Sequence, residues 1–371
     1  MRLLYIVSHP IQYQAPLLRQ IAAQPDLELK VLFERISVGG ERDPGFSVPV
    51  QWDVPLLEGY EFDHLTGRSL WRELAACDAV WVHGWQSWRM KAVLLAAALM
   101  RRPVLMRAEN WLGAMPEPDG WTGAVKRAYL RAIFAFCDRY LCIGSKNAQY
   151  YARFGIPSAR MFSMPYAVDN DFFARRAAGV DPAEFRSRLG LPSGRPVVLF
   201  AGKLIRRKHP HTLLAAWRKA FPEPGARPVL VFVGDGELAD LVRTGEEDVY
   251  FLGFRNQTEM PGLYAIADIF VLAAEREAWG LAINEAMACG TAVIASNECG
   301  AAYDLLDDTV GAVVRPGNID ELAAALRRVL PEARVMGDAA RERIAVWNFP
   351  ADLVGLRSAI RLTVGPKGWP A

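Results

Sequence analysis

Short runs of aliphatic, β-branched and aromatic residues alternate along the chain with longer segments in which apolar residues recur every three or four positions. In the first half the strand candidates are 3–7, 29–33, 79–82, 104–107, 140–143 and 160–164. Helical period fills several gaps between them, as at 15–23 and 88–100. Over 122–137, Val125, Tyr129, Ile133 and Phe136 step by three and four, which predicts an amphipathic helix with Lys126, Arg127 and Arg131 on its polar side. Uninterrupted apolar strands alternating with helices predict parallel sheets covered on both faces.

A second series follows a break. Residues 176–196, rich in Gly, Pro and charge, read as a linker with one short helix. Beyond it, runs at 197–201, 229–233, 249–252, 269–273 and 292–295 are each followed by helical or loop sequence. The expectation is an α/β chain of two doubly wound, Rossmann-like domains, 1–175 and 197–350. Such sheets bind ligands beyond the carboxyl ends of their strands, so functional residues are sought there.

The composition of this 371-residue chain, 52% hydrophobic and 23% charged, is that of a globular protein. Its 43 basic and 41 acidic residues leave no field of the kind that marks a nucleic-acid binder. The balance hides an asymmetry. Residues 1–180 hold 21 basic and 17 acidic side chains, and residues 88–139 alone hold nine and four. A basic face of this kind is either a solvated helix surface or a place where the first domain meets anionic lipid. The five cysteines, Cys77, Cys137, Cys142, Cys289 and Cys299, form no CxxC pair and lie in or beside apolar segments. This suits a reduced, cytoplasmic chain. The longest helical apolar run, 92–100, is too short to span a bilayer. A membrane contact would therefore be peripheral.

Candidate chemistry concentrates in 271–300. After the strand ending at 273, a loop carries Glu275 and Glu277, and a helix is expected to begin near Gly280 with Glu285 a turn into it. Carboxylates accept from sugar hydroxyls, and the free N–H groups around Gly280 and Leu281 suit phosphate or sugar oxygens. Upstream, the strand 197–201 runs into Gly202, Lys203 and then Lys208. Gly202 permits close backbone approach, and the two lysines can straddle a diphosphate as point charges.

These residues resemble a retaining GT-B glycosyltransferase of glycosyltransferase family 4. The resemblance rests on Glu277 and Glu285 with seven residues between them, the loop with Lys203 and Lys208, the VGDGEL turn at 233–238, LGF at 252–254 and the approach LYAIADIFVLAA at 263–274. Residues 145–173 resemble the family's segment ending in Gly-Val-Asp-x-x-x-Phe, with Ala167 in place of the Gly. The family implies two Rossmann-like domains facing an interdomain cleft, the C-terminal helix 351–371 packing on the acceptor-binding first domain, and donor binding by 197–350. It implies contacts from Glu277, Gly280 and Leu281 to the donor sugar and from Glu285 to the ribose. Lys203 and Lys208 would hold the diphosphate, with Gly202, Gly234, Gly253 and Phe254 in loops near the nucleotide. Lys203 stands where the family usually has Arg. A UDP- or GDP-sugar would be a substrate, with no cofactor and no metal.

The first domain departs from the pattern. Its first strand runs into Ser8-His9-Pro10-Ile11-Gln12 where relatives are Gly-rich, so His9 and Gln12 are acceptor-side candidates. After 104–107, where the family commonly has a His near the anomeric carbon, this chain has Glu109, with His83 a second candidate. Glu109 would position the acceptor or aid its deprotonation, unless it pairs with Arg107 or Arg89. Other readings are an epimerase of the same fold and a non-catalytic sugar-nucleotide binder. The Gly234-x-Gly-x-x-Ala239 outline of a dinucleotide site is set aside, because the next strand ends in Gly253-Phe254-Arg255 and not in an acidic residue.

Overall fold

The structure, a computed structural model, describes residues 1–36 and 52–364; the end of the helix expected at 351–371 lies outside them. The chain divides into two compact units. One comprises Met1–Val38, Pro55–Ala167 and Asn348–Ala371, the other Gly39–Val54 and Val168–Trp347.

In the first unit, β1 (Arg2–Val7), β2 (Glu28–Phe33), β3 (Glu61–His64), β4 (Ala79–His83), β5 (Val104–Arg107), β6 (Arg139–Cys142) and β7 (Met161–Ser163) form one sheet in the order β3-β2-β1-β4-β5-β6-β7. Every pairing is parallel. Its helices are α1 (Gln14–Ala22), α2 (Gly67–Ala76), α3 (Trp88–Leu99), α4 (Gly120–Phe134) and α5 (Ser145–Arg153). Leu4, Ile6, Val80, Val82 and Met106 pack against Leu94, Leu130 and Phe134 in one core. The strand order reverses between β1 and β4, and the loop after β1 diverges there from the end of β4. Such a switch point is where a doubly wound sheet leaves room for a ligand.

Helix α4 turns inward a face that shares only Ile133 with the stripe its spacing predicts. It buries Leu130, Ile133 and Phe134 and leaves Val125, Tyr129 and, just past its end, Phe136 exposed. Lys126 donates to the Pro116 carbonyl at 3.1 Å and Arg127 pairs with Glu117 at 3.2 Å. The loop before α4 therefore sequesters those two cations, and apolar side chains take the solvent side.

The second unit repeats the plan. Strands β8 (Val197–Ala201), β9 (Val229–Val233), β10 (Val249–Gly253), β11 (Ile269–Leu272), β12 (Ala292–Ser296) and β13 (Gly311–Val314) lie parallel in the order β10-β9-β8-β11-β12-β13. Its helices are α6 (Asn170–Ala178), α7 (Pro182–Arg188), α8 (Pro210–Ala220), α9 (Ala239–Val242), α10 (Met260–Ala265), α11 (Leu281–Ala288), α12 (Ala302–Leu305), α13 (Ile319–Val329) and α14 (Ala333–Ile344). The division between units falls after Ala167, and residues 168–196, including the stretch read as a linker, belong to the second unit. Phe173 is buried with its ring 6.3 Å from that of Tyr264, and Arg186 donates to the Ile266 carbonyl at 3.0 Å. The polar composition of 176–196 reflects the exposed sides of α6 and α7, while a few anchors fix them to the core.

The last helix, α15 (Phe349–Val364), packs on β6 and β7 of the first unit. A Cβ at Gly355 would fall 1.7 Å from the Ser163 carbonyl oxygen, so only glycine allows this approach. Asp352 is buried 3.5 Å from the equally buried Arg107, which also donates to the carbonyls of Met164 (3.3 Å) and Pro165 (3.0 Å). Burial pushes the Asp352 carboxyl up to about 7 against the pull of Arg107.

Candidate functional site

In the second unit the loops at the carboxyl ends of β8, β9 and β10 are laced together by backbone bonds. Gly202 N–H donates to the Val233 carbonyl at 3.0 Å, and Gly234 N–H donates to the Gly253 carbonyl at 2.8 Å. A Cβ on Gly234 would lie 1.9 Å from the Gly202 carbonyl oxygen, and its φ of +129° is one L side chains avoid. The close approach and the dihedral both require glycine. Phe254, just beyond β10, meets Trp52 edge-on with ring centroids 6.1 Å apart. Asp53 accepts from the Thr258 N–H at 3.2 Å and from its hydroxyl. Residues 52–53 thus sit on the loop after β10.

The charged centre lies after β8 and β11. A 3-10 turn at Arg206–Lys208 brings Lys208 onto the Glu277 carboxylate, where Arg207 joins it at 3.2 Å. Lys203, one residue past Gly202, is half-buried in the same loop. Glu277 is held through its main chain: its N–H donates to the Glu298 carbonyl at 2.9 Å and its carbonyl accepts from Gly300 at 3.2 Å. Glu275, its neighbour, meets His209 at 2.9 Å. Its role in the structure is a hydrogen-bond partner of the loop after β8.

Gly280, left-handed at φ +97°, caps α11, so the N–H groups of Leu281 and Ala282 open the helix beside this centre. Glu285, one turn on, accepts from the Tyr264 hydroxyl at 2.8 Å. Burial pushes its carboxyl up to about 7, opposed only by that hydrogen bond. The arrangement combines two cations with a carboxylate at a helix N-terminus, and a second carboxylate poised to change charge near neutrality. A phosphate, a sugar hydroxyl and a ribose hydroxyl each find a matching group among them.

In the first unit, His83 ends β4 and Glu109 follows β5 by two residues. Their Nε2 and Oε1 atoms lie 3.3 Å apart. The Tyr13 hydroxyl donates to the same Oε1 at 3.0 Å, and the Tyr166 hydroxyl donates there as well. Three donors thus converge on one oxygen and leave Oε2 outside the cluster. Burial alone would raise the Glu109 carboxyl, but the His83 contact and the two hydroxyls outweigh it and hold it at about 2. Behind His83, the Gln14 amide donates to Nδ1 at 3.2 Å and the Tyr5 hydroxyl lies 3.1 Å from the same nitrogen. An amide donor at Nδ1 leaves the imidazole proton on Nε2, directed at Glu109. Arg107 and Arg89 do not compete for Glu109: the first pairs with Asp352 and the second donates to the Glu34 carbonyl at 2.9 Å. His9 and Gln12 lie in the loop after β1, with His9 Nδ1 2.9 Å from the Ser8 hydroxyl. Among the described residues no group of three or more His, Cys, Asp and Glu is placed to hold a metal ion.

Comparison with known families matches the two units separately. The family described as Glycosyl transferases group 1 matches residues 181–343, and that described as Glycosyltransferase Family 4 matches residues 23–172. The chain belongs to glycosyltransferase family 4. A D-inositol 3-phosphate glycosyltransferase of Mycobacterium tuberculosis is 27% identical to it over 303 residues, covering 77% of this chain. The chain spans about 61% of that relative's length. Among solved structures, Anabaena HepE in complex with UDP superposes with a TM-score of 0.72 at 20% identity, covering 98% of this chain and 99% of that one. Sucrose-phosphate synthase from Thermosynechococcus elongatus gives 0.70 at 21% identity, with 98% of each chain covered. The architecture of this family 4 chain is the GT-B fold of two Rossmann-like units.

Several residues that join these clusters escape sequence reasoning. Tyr13 and Tyr166 read as loop aromatics and Tyr5 as a strand residue, yet all three enter the His83–Glu109 network. Tyr264, inside an apolar run, carries the hydroxyl that meets Glu285. A polar tip on an otherwise buried aromatic was the one available signal.

Proposed function

We propose that this chain transfers a sugar from a nucleotide diphosphate donor to an acceptor hydroxyl, with retention at the anomeric carbon. The observation that carries the reading is the pairing of Lys208 and Arg207 with Glu277 at the start of α11. Lys203 and Lys208 hold the donor diphosphate, and the Leu281 N–H and Glu277 contact the sugar. Glu285, whose Oε2 is occupied by Tyr264, offers its other oxygen to the ribose. The loops of Gly202, Gly234 and Gly253-Phe254 border the base. That the Anabaena neighbour is described with UDP and, in another structure, with UDP-glucose supports a UDP donor, with GDP the alternative.

As the glycosidic bond breaks, negative charge grows on the diphosphate, where the lysines stabilise it without a divalent ion. The departing phosphate oxygen takes the acceptor proton on the same face. Glu109, held at about 2, is a weak base; its contribution is a fixed acceptor at Oε2 that orients the incoming hydroxyl. The first unit therefore serves the acceptor and the second the donor, in a cytoplasmic setting. Incubation with UDP- and GDP-sugars and candidate acceptors, followed by chromatography and NMR of the product, tests this. Nucleoside diphosphate release that depends on acceptor, survives EDTA and gives a product of unchanged anomeric configuration is expected. Conversion of the donor to another nucleotide sugar without acceptor, or an inverted product, would overturn it.

A further inference from the structure

Helices α3 and α4 are neighbours in the first unit, joined where Lys91 Nζ stands 5.6 Å over the Tyr129 ring and Trp85 meets that ring at 6.4 Å. Both turn apolar side chains to the outside. On α3 these are Trp88, 73% exposed, with Leu95 and Leu99; spacings of seven and four residues put all three on one side of the helix. On and just after α4 they are Trp121, 77% exposed, with Val125 and Phe136. A solvated helix face ordinarily shows charge where these helices show tryptophan and leucine.

The charges within the two helices share one sign, and the exposed Asp119 stands at the N-cap of α4. Trp88–Leu99 contains Arg89 and Lys91, and Gly120–Phe134 contains Lys126, Arg127 and Arg131; neither helix contains an acidic residue. Acidic side chains are favoured in the first turn of a helix, so their absence from both is a compositional choice. Arg101 and Arg102 follow α3 after its cap, Met100. Arg127 is tied to Glu117, Arg89 to the Glu34 carbonyl and Arg102 to the Ala75 carbonyl. Among the described residues Lys91, Arg101 and Arg131 have no acidic partner.

We propose that the α3–α4 face docks this unit on the surface of an anionic lipid bilayer, lying on it. Tryptophan and tyrosine settle at headgroup depth, the aliphatic side chains enter the acyl boundary, and the cations meet lipid phosphate. No helix among the described residues is long and apolar enough to cross a membrane. The inference goes beyond sugar transfer and does not depend on it.

Cosedimentation of the full chain tests it, using vesicles of phosphatidylcholine alone and of phosphatidylcholine mixed with phosphatidylglycerol. The chain is expected to partition onto the mixed vesicles, less so as salt is added. Trp88→Ser/Trp121→Ser and Lys91→Glu/Arg131→Glu should each lower that partitioning by about tenfold or more. Both pairs lie outside the proposed sugar and nucleotide contacts, and an unchanged circular dichroism spectrum and melting midpoint confirm that they fold. The proposal is overturned if the unsubstituted chain ignores anionic lipid, or if the folded variants bind it as well as the parent. It is also overturned if the tryptophan pair instead dissociates a dimer that has no affinity for vesicles.

Discussion

Glu109 and Glu285 show how environment assigns different work to the same side chain. Glu109 takes three donors on one oxygen and stays ionised down to about pH 2. Because its carboxyl is lowered, the stability it contributes is complete above the ordinary glutamate range and drains away only as acid approaches that value. Glu109→Gln keeps the shape but removes the charge that His83 and the two tyrosines point at. Its kcat/KM for transfer should fall about 100-fold, against roughly tenfold for Tyr166→Phe, with donor affinity unchanged in both. Full activity in Glu109→Gln would refute the positioning role. Glu285 is raised, to about 7, so the sign reverses: the stability of its neutral form is complete below the ordinary glutamate range and is lost as pH rises through about 7. Glu285→Gln should therefore raise the melting midpoint at pH 8 while weakening nucleotide binding. It should also flatten the rise in nucleotide affinity with pH that an ionising ribose acceptor confers. A variant that melts lower and binds as well would contradict both halves.

At the scale of elements, the strands read most clearly. Central strands such as β1, β4, β8 and β9 are buried on both faces, so each is a continuous apolar run that periodicity detects directly. β3 escaped notice because it is a sheet-edge strand of sequence Glu-Phe-Asp-His, and β13 because Gly311 and an exposed Val313 break its run. The period locates α4 but not its inward face. Of the four residues that carry it, Val125, Tyr129 and Phe136 point outward and only Ile133 is buried, an orientation that sequence period alone does not fix. The motif glycines were legible as glycines, but not the reason for them. At Gly234 it is the carbonyl of Gly202 from the neighbouring loop. Gly234→Ala should cost about 2 kcal/mol or more of stability in urea unfolding, as a left-handed alanine and a steric clash combine. It should weaken nucleotide binding in calorimetry at the same time, since the clash moves the loop that leads to Lys203.

Over the whole molecule, a shared pattern of strand order, centred on β1 and β4 in one unit and on β8 and β11 in the other, puts the candidate residues on the loops and helix starts that follow the carboxyl strand ends. The charged cluster of the second unit was largely legible, because Lys208, Glu277, Gly280 and Glu285 lie in two short stretches of chain. The His83–Glu109 cluster of the first unit was legible only in part. Its members come from the first loop, from the ends of β4 and β5, and from Tyr166 beyond β7, and only folding joins them. The charge asymmetry of the first half was visible in the counts, but the apolar surface it borders emerged only once α4 was seen to face outward.

In the proposed function the loops after β8 and β11 hold a nucleoside diphosphate through Lys208. Its most direct test is titration of UDP and GDP against the melting midpoint of the chain and of its Lys208→Ala and Glu109→Gln variants. A bound ligand raises the midpoint by mass action. One nucleotide is expected to raise it in a concentration-dependent way for the unsubstituted chain and for Glu109→Gln. Lys208→Ala should need about tenfold more nucleotide for the same shift. No shift with either nucleotide, or an equal shift in Lys208→Ala, would rule out diphosphate binding through Lys208.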